Sequence, residues 1–312
     1  MELDRREFIS TAGLGLAAAG MFGSTAFAAD APKTVKVGIC DWNLGGACNP
    51  DLIPRAKEAH LDGIQVSVGT NPANIPLRHA EVRNKYIELG KQYGIEFHSV
   101  AAGGILNEIP LASEPQSAVY VIDAVEAAAA LGAQNILIAF FGNGDLRLRD
   151  ARGRFRNISD GPFKEYELDA RGVTRVVEVL KQIVPRAEYL GVALGLENTL
   201  TAKQNLEIIE RIGSSLVQVY YDVGNSTSNG YDVPTEIRLL GKDRICEIHL
   251  KDNGKDVQVL TSPNVEVKWE ESAQACKEIG YDKWYVLEES GREKRFIEDT
   301  QANVAFAKKL FS

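Results

Sequence analysis

Histidine and cysteine are scarce in this sequence, with four of each among 312 residues. A cluster of several zinc ions, which needs many histidines, is therefore not expected. Basic residues are also outnumbered, since 35 Lys and Arg stand against 43 Asp and Glu and the net charge is −8. This balance argues against a nucleic-acid partner, because contact with a phosphate backbone requires a basic face.

Long apolar runs are missing too, and no segment is long and apolar enough to cross a bilayer. The run 11–25 is short, weakly apolar and rich in Gly and Ala. It follows the pattern Asp4-Arg5-Arg6-Glu7-Phe8-Ile9-Ser10 and precedes Ala26-Phe27-Ala28. This is the pattern of a twin-arginine export signal with an A-x-A cleavage site, which predicts a signal peptide at 1–28. We expect the mature chain to begin near Ala29, to reach the periplasm and to have no membrane association there.

The four cysteines leave two alternatives open in an exported protein. One alternative is a disulfide between Cys40 and Cys48 and another between Cys246 and Cys276. The alternative is four free thiols, since a chain of this size has a core that needs no covalent staple.

Apolar strand-like runs alternate with amphipathic helical stretches from end to end. The eight predicted strands are 35–41, 63–68, 96–101, 135–140, 193–198, 217–225, 245–252 and 284–290. The predicted helices are 51–60, 79–93, 115–131, 169–190, 201–212, 234–240, 267–279 and 293–311. Glycines at 63, 94, 132 and 191 are read as helix C-caps that lead back into the sheet. Eight strand–helix pairs predict an α/β fold, a single-domain (β/α)8 TIM barrel over 29–312.

One connection is much longer than the rest. Segment 141–168 follows the fourth strand and contains five arginines interspersed with aspartates. A loop of this length in a compact domain is often a cover over a binding site, with arginines that approach a polar ligand. The alternative is a solvated surface excursion with balanced charge, which we favour for most of these arginines.

Four strand-like runs in the second half each reach a side chain of the metal-ligand type. These side chains are Glu197, Asp222, His249 and Glu288. Taken singly, each is more often a helix cap or a salt-bridge partner. In a parallel barrel, however, the carboxyl ends of all strands meet at one rim, where active sites of this fold are built. Together the four therefore predict one divalent metal site with three oxygen-donor ligands and one nitrogen-donor ligand.

This ligand set suits Mn²⁺, Mg²⁺ or Co²⁺, with Zn²⁺ and Fe²⁺ as alternatives. Such an ion can chelate neighbouring carbonyl and hydroxyl oxygens of a sugar and acidify the C–H bond between them. Glu197 and Glu288, on well-separated strands, would then flank that carbon. One removes a proton and the other returns it, which inverts the centre.

The motifs that carry these residues resemble those of the xylose isomerase-like TIM-barrel superfamily of sugar isomerases and epimerases. They are L-E-N at 196–198, D-V-G-N at 222–225, H-L-K-D at 249–252 and V-L-E at 286–288. The resemblance implies that Glu197, Asp222, His249 and Glu288 bind the metal and that both glutamates act as acid and base, as in ketose 3-epimerases. Glu289 is the alternative to Glu288, because one residue of register exchanges them.

Two positions depart from the pattern of the superfamily. Asn225 stands where many members have a histidine, and Gln65 stands where many have a glutamate. Both departures affect the substrate more than the metal. The residues predicted to line the substrate site are Asp41, Trp42, His98, Asn225, Lys251 and Asp252.

The predicted function is that of a divalent-metal sugar epimerase or isomerase with a small carbohydrate substrate. A metal-dependent lyase or hydratase on 3-keto-glycosides is the alternative from the same chemistry. A non-catalytic sugar-binding protein is the alternative from another class, although binding alone does not require two opposed bases. The chain is also a possible homo-oligomer.

Overall fold

The fold is a closed parallel barrel, as the alternation of strands and helices predicts. The computed structural model describes residues 34–255, 257, 259–289 and 291–312, so the predicted signal peptide at 1–28 lies outside the described residues. The strands pair in sequence order, and the eighth pairs with the first. They are β1 Val37–Cys40, β2 Gly63–Ser67, β3 Glu96–Ala101, β4 Asn135–Ala139, β5 Ala193–Glu197, β6 Val217–Asp222, β7 Ile245–Leu250 and β8 Tyr285–Leu287.

Helices surround this barrel and bury its outer face. They are α1 Asp41–Leu44, α2 Ile53–Glu58, α3 Ala80–Tyr93, α4 Gly103–Glu108, α5 Ala118–Leu131, α6 Ala170–Leu190, α7 Ala202–Ile212, α8 Val223–Ser228, α9 Val233–Arg244, α10 Trp269–Glu278 and α11 Phe296–Phe311. All eight predicted helices are present. Among the described residues, no helix has the length and apolar character needed to cross a membrane.

Three short helices at the ends of strands were not predicted, namely α1, α4 and α8. The prediction that β6 runs to Asn225 was wrong, because the side chain of Asp222 accepts the backbone N–H of Asn225 and starts α8 there. Gly94, Gly132 and Gly191 have left-handed backbones at helix C-caps, as expected. Gly63 is instead the first residue of β2.

The strands are buried on both faces, which is the rule for a parallel sheet covered by helices. Most of the core lies between the sheet and the helices. A smaller apolar cluster lies inside the barrel and includes Leu137, Tyr220 and Cys246. All four cysteines are free thiols, which is the second of the two alternatives drawn from the sequence.

The long segment after β4 folds into a hairpin-like excursion with antiparallel bridges such as Asn157 to Tyr166. Arg147 anchors it from within, since its guanidinium lies 2.7 Å from the buried carboxylate of Asp145. The same guanidinium donates to Asn229 Oδ1 and stacks over the ring of Phe155. Arg147 therefore holds the segment in place. The described residues that line the central cavity include no arginine, so the arginines of this segment do not line it.

Candidate active site

The barrel brings the four predicted ligand residues to one rim. Glu197 is the last residue of β5, Asp222 is the last of β6, and Glu288 directly follows β8. His249 lies on β7, where it pairs in register with Asp222. Each residue offers one ligand atom, and these atoms all lie within 4.8 Å of one another.

His249 is at the centre of the cluster and is fully buried. Its Nδ1 lies 3.0 Å from Glu197 Oε1, 3.4 Å from Glu288 Oε2 and 3.9 Å from Asp222 Oδ2. Three carboxylates thus converge on one ring nitrogen. The other ring nitrogen, Nε2, points away from them toward Gln65 Oε1 at 3.2 Å.

Asp222 is held by the turn into α8. Its Oδ1 accepts the backbone N–H of Asn225 at 2.7 Å. Gly224 permits this turn, because a Cβ at that position would lie 2.5 Å from the backbone oxygen of Lys251. The second oxygen, Oδ2, is buried and has no hydrogen-bond partner among the described residues.

The close approach of these groups shifts their pKa values. Burial raises the pKa of Glu197, and burial together with the charge of Glu288 raises the pKa of Asp222 well above its usual range. Burial also acts on Glu288, but His249 and Lys251 outweigh it and hold the pKa of Glu288 below its usual range. The pKa of His249 is raised despite its burial, because Cys40 and Glu197 favour the imidazolium. A cation that binds here therefore competes with protons.

This donor set fits a divalent cation. A buried carboxylate oxygen without a partner is costly unless a cation or a donor meets it. Asp222 Oδ2 is such an atom, and it faces the Nδ1 atom of His249 and the other carboxylates. Three carboxylates and one imidazole at this spacing are a ligand set for a hard or borderline divalent ion. The four side chains of the cluster can therefore hold a divalent metal ion.

A cavity of about 380 Å³ opens above the cluster. Glu197 and Glu288 line it, whereas Asp222 and His249 lie outside its lining. The remaining lining residues combine apolar groups, neutral polar groups and one lysine: Trp42, Ala47, Ser67, Thr70, Gly103, Gly104, Asn107, Leu137, Ala139, Phe141, Asn225 and Lys251. Two carboxylates thus reach the space where a ligand would lie.

Three of the residues predicted to contact substrate lie on this lining, namely Trp42, Asn225 and Lys251. The ammonium group of Lys251 lies 3.1 Å from Glu288 Oε2 and 4.0 Å from Asp222 Oδ2. Trp42 is partly exposed and meets the ring of His249 edge-on, with 6.5 Å between the ring centroids. These three residues surround the space directly above the cluster.

The two predicted aspartates organise loops instead. Asp41 is buried and accepts the backbone N–H groups of Cys48 and Ser67 and the hydroxyl of Ser67. Asp252 accepts backbone N–H groups of Gly254, Glu266 and Val267. Neither aspartate lines the cavity.

His98 is placed differently from the sequence interpretation. Its side chain is fully buried, donates Nδ1–H to Glu247 Oε2 at 2.8 Å, and stacks on Trp284. Trp284 directly precedes β8, at the opposite end of that strand from Glu288, and Glu247 lies two residues before His249 on β7, deeper in the barrel. A position on a strand does not reveal depth along the barrel axis, which is why the sequence suggested a substrate contact for His98.

The structure also shows which of the two glutamates after β8, Glu288 or Glu289, faces the cluster. Glu288 belongs to the cluster, while Glu289 accepts the backbone N–H of Asp252 at 2.9 Å.

Sequence reasoning missed three polar residues of the cavity wall, namely Ser67, Thr70 and Asn107. Ser67 ends β2, and its position at a strand end was the one available signal.

Comparisons with known proteins agree with this architecture. A curated relative, 2-epi-5-epi-valiolone 7-phosphate 2-epimerase from an Actinoplanes strain, is 26% identical over 231 residues, or 72% of this chain and 74% of the relative. The fold is similar to that of D-psicose 3-epimerase from Clostridium cellulolyticum H10, with a TM-score of 0.68, 17% identity and coverage of 89% of this chain and 100% of that one. It is also similar to 3-keto-D-glucoside 4-epimerase from E. coli, with a TM-score of 0.67, 14% identity and coverage of 88% and 99%.

The family described as xylose isomerase-like TIM barrel matches residues 53–310. That span includes seven of the eight strands and all four residues of the cluster. The chain therefore belongs to the xylose isomerase-like TIM barrel family.

Proposed function

We propose that this protein is a divalent-metal-dependent sugar epimerase that inverts a carbon next to a carbonyl group. One observation carries the proposal: the two glutamates of the cluster are also the two carboxylates that reach the cavity. The protein is an enzyme of the sugar isomerase and epimerase kind, and its curated relative and the solved structures of similar fold bear names of that kind.

Glu197, Asp222, His249 and Glu288 would hold the ion. When bound, a divalent ion supplies Lewis-acid polarisation of the substrate's carbonyl and hydroxyl oxygens, which lowers the cost of removing the proton between them. Glu197 and Glu288 sit at the ends of strands three places apart around the barrel, and both line the cavity. One takes the proton on one face of the carbon to give an enediolate, and the other returns a proton to the opposite face.

The other lining residues suit a neutral polyhydroxy compound. Ser67, Thr70, Asn107 and Asn225 offer uncharged hydrogen-bonding groups. Lys251 is the one cationic side chain among the described lining residues, and it is already paired with Glu288. A phosphate group would therefore find no uncommitted cation here, and we propose an unphosphorylated keto sugar or a related carbonyl compound as substrate.

The central test is solvent deuterium exchange with purified mature protein loaded with Mn²⁺ or Co²⁺. Candidate ketose pairs, free and phosphorylated, are incubated in D₂O, and deuterium is located by NMR. We expect incorporation at one carbon next to the carbonyl, with inversion. Loss of exchange on chelation and recovery with added metal are expected in the same experiment.

The two bases are tested by Glu197→Gln and Glu288→Gln, with Glu289→Gln as the matched control. Each of the first two variants removes a group that lines the cavity, and we expect both to abolish inversion. Glu289 holds the backbone of Asp252, so its variant should keep most of the activity. Persistent exchange in both Glu197→Gln and Glu288→Gln would contradict the two-base assignment.

The lyase alternative is separated by the same experiment. A lyase on a 3-keto-glycoside would release a leaving group after proton removal, whereas an epimerase inverts the carbon without releasing one. Deuterium at the inverted carbon with no released product supports the epimerase. A non-catalytic sugar-binding protein would show no exchange with any substrate while still binding the sugar.

We also propose export by the twin-arginine route. This part of the proposal is based on the sequence alone, because Arg5 and Arg6 lie outside the described residues. Export of a folded protein is compatible with a metal installed before transport. Fractionation of cells that express the full chain tests it, with an Arg5→Lys, Arg6→Lys variant as the control. Accumulation of the wild type in the periplasm and of the variant in the cytoplasm is the expected result.

A further inference from the structure

We propose that Gln65 is a positioning residue that fixes which nitrogen of His249 faces the metal. Gln65 lies on β2 and is fully buried, and its side chain reaches across the barrel interior to β7. The inference rests on the metal site of the proposed function. It goes beyond that function, because it assigns a role to a residue outside the ligand cluster.

The amide of Gln65 has two different neighbours at its two ends. Its oxygen lies 3.2 Å from His249 Nε2 and 3.2 Å from the thiol of Cys40. Its nitrogen donates to Ser99 Oγ at 3.0 Å. The amide therefore accepts on the side of His249 and donates on the side of Ser99.

Glu247, which lies deeper in the barrel, determines which atoms donate and which accept in these hydrogen bonds. This carboxylate is fully buried and accepts from Asn135 Nδ2 at 2.8 Å and from the hydroxyl of Tyr220. Since Tyr220 gives its proton to Glu247, the tyrosine oxygen can accept from Ser99 Oγ, which is 3.1 Å away. Ser99 then has its oxygen free to accept from the Gln65 amide.

The hydrogen bond between Gln65 and His249 connects this chain of bonds to the metal site. With its oxygen turned toward β7, Gln65 accepts the Nε2–H of His249, and the Nδ1 lone pair is left for the cluster. An outer hydrogen bond of this kind orients a metal-binding imidazole and fixes its tautomer. A buried carboxylate on β7 thus determines, through Tyr220, Ser99 and Gln65, the nitrogen that His249 presents.

These two hydrogen bonds explain why the side chain at position 65 is an amide. A glutamine can accept from the histidine and donate to the serine at the same time, whereas a carboxylate only accepts. Gln65→Glu should keep the bond to Nε2–H, and Gln65→Met should lose it with little change in volume. The two variants therefore separate the role of the acceptor from that of simple packing.

The test measures metal affinity by calorimetry with Mn²⁺ and tautomer by ¹⁵N NMR with Zn²⁺. The chain has only four histidines, so the His249 signals can be assigned with a His249→Gln variant. In the wild type we expect Zn²⁺ at Nδ1 and a proton on Nε2. Gln65→Met should weaken Mn²⁺ binding by about 10- to 100-fold, and Gln65→Glu should restore it.

Cys40→Ala is the matched control. It removes the other donor to the same amide oxygen, a thiol that also lies 3.5 Å from His249 Nε2, but it leaves the Gln65 acceptor in place and should change affinity by no more than a few-fold. Thermal unfolding of each metal-free variant shows whether it is folded. The NMR measurement on the wild type decides the assignment even where a variant fails to fold.

Zinc at Nε2 in the wild type, or wild-type affinity in folded Gln65→Met, overturns the inference and leaves the proposed function standing. Equal loss of affinity in Gln65→Glu and Gln65→Met overturns it as well. Failure of the wild type to bind any divalent ion instead overturns the metal site of the proposed function, and this inference with it.

Discussion

His249 Nδ1 lies 3.0 Å from Glu197 Oε1, so the nitrogen that would bind a metal contacts a carboxylate of the same ligand set. Burial opposes the imidazolium, but Cys40 and Glu197 raise the pKa of His249 well above its usual value. A metal that binds Nδ1 therefore competes with the proton that the imidazolium holds there.

Metal affinity should consequently rise with pH. Each proton released on binding changes the affinity about tenfold per pH unit below the pKa of the group that loses it. We expect the Kd for Mn²⁺ to fall between about pH 6 and about pH 8, with proton release visible in calorimetry in buffers of different ionisation enthalpy. A Kd that is constant over this range would contradict the prediction.

Lys251 gives a second prediction, because its ammonium neutralises part of the charge that a metal would neutralise. It lies 3.1 Å from Glu288 Oε2 and 4.0 Å from Asp222 Oδ2, and these oxygens also belong to the cluster. Lys251→Met removes a repulsive cation, so Mn²⁺ should bind several-fold more tightly. Inversion should become slower, since the variant also removes a donor from the cavity wall.

The matched control is Lys283→Met. That lysine donates to the backbone oxygen of Ile245 at the start of β7, at the other end of the strand from His249. It should leave Mn²⁺ affinity and inversion unchanged. Weaker metal binding in Lys251→Met would show that the lysine supports the ligands and does not compete with the ion.

Much of the site follows from the sequence because its signals are local. Glu197, Asp222 and His249 each end a short apolar run, and parallel strands in a barrel bring such ends together whatever the loops between them do. The sequence allows either Glu288 or Glu289 as the fourth ligand, since a shift of one residue exchanges them. The structure separates them through the bond from Asp252 to Glu289.

Other contacts depend on closure of the barrel and have no local signal. Gln65 and His249 are 184 residues apart, and only the completed circle of strands places the amide against the ring. His98 had an inward-facing position but lies deep among Glu247 and Trp284, away from the cavity. Helix α4, which brings Gly103 to the cavity wall, is too short to show helical periodicity.

A third prediction concerns the anchor of the long segment after β4. Arg147 and Asp145 form a buried ion pair at 2.7 Å. Arg147→Met leaves the Asp145 carboxylate buried with only Thr199 Oγ1 and a backbone N–H as donors. Removal of one partner from a buried pair costs about 3 kcal/mol of unfolding free energy, which urea denaturation would measure.

The double variant Asp145→Asn, Arg147→Met should recover part of that loss, because no unpaired charge then remains. Arg154→Met, which breaks the exposed pair with Asp150, should have little effect. Limited proteolysis within 148–168 should accelerate in Arg147→Met alone. A single variant as stable as the wild type would show that the pair contributes nothing.

The last prediction uses Asp41, which is buried at the start of α1. Burial raises its pKa to about 6 from 3.8, although hydrogen bonds from Ser67 and Cys48 oppose the rise. The folded state therefore binds the proton more tightly than the unfolded chain does. Its contribution to stability is greatest below the unfolded pKa and is lost as pH rises through about 6.

Asp41→Asn does not titrate, and its amide can still accept from the backbone and donate to the Ser67 hydroxyl. Relative to the wild type, its unfolding free energy should therefore increase between about pH 4 and about pH 7, by up to about 3 kcal/mol. Ser67→Ala, which removes a bond that lowers the pKa of Asp41, should move the wild-type transition to higher pH. A difference between Asp41→Asn and the wild type that stays constant with pH would show that Asp41 does not titrate over this range in the folded protein.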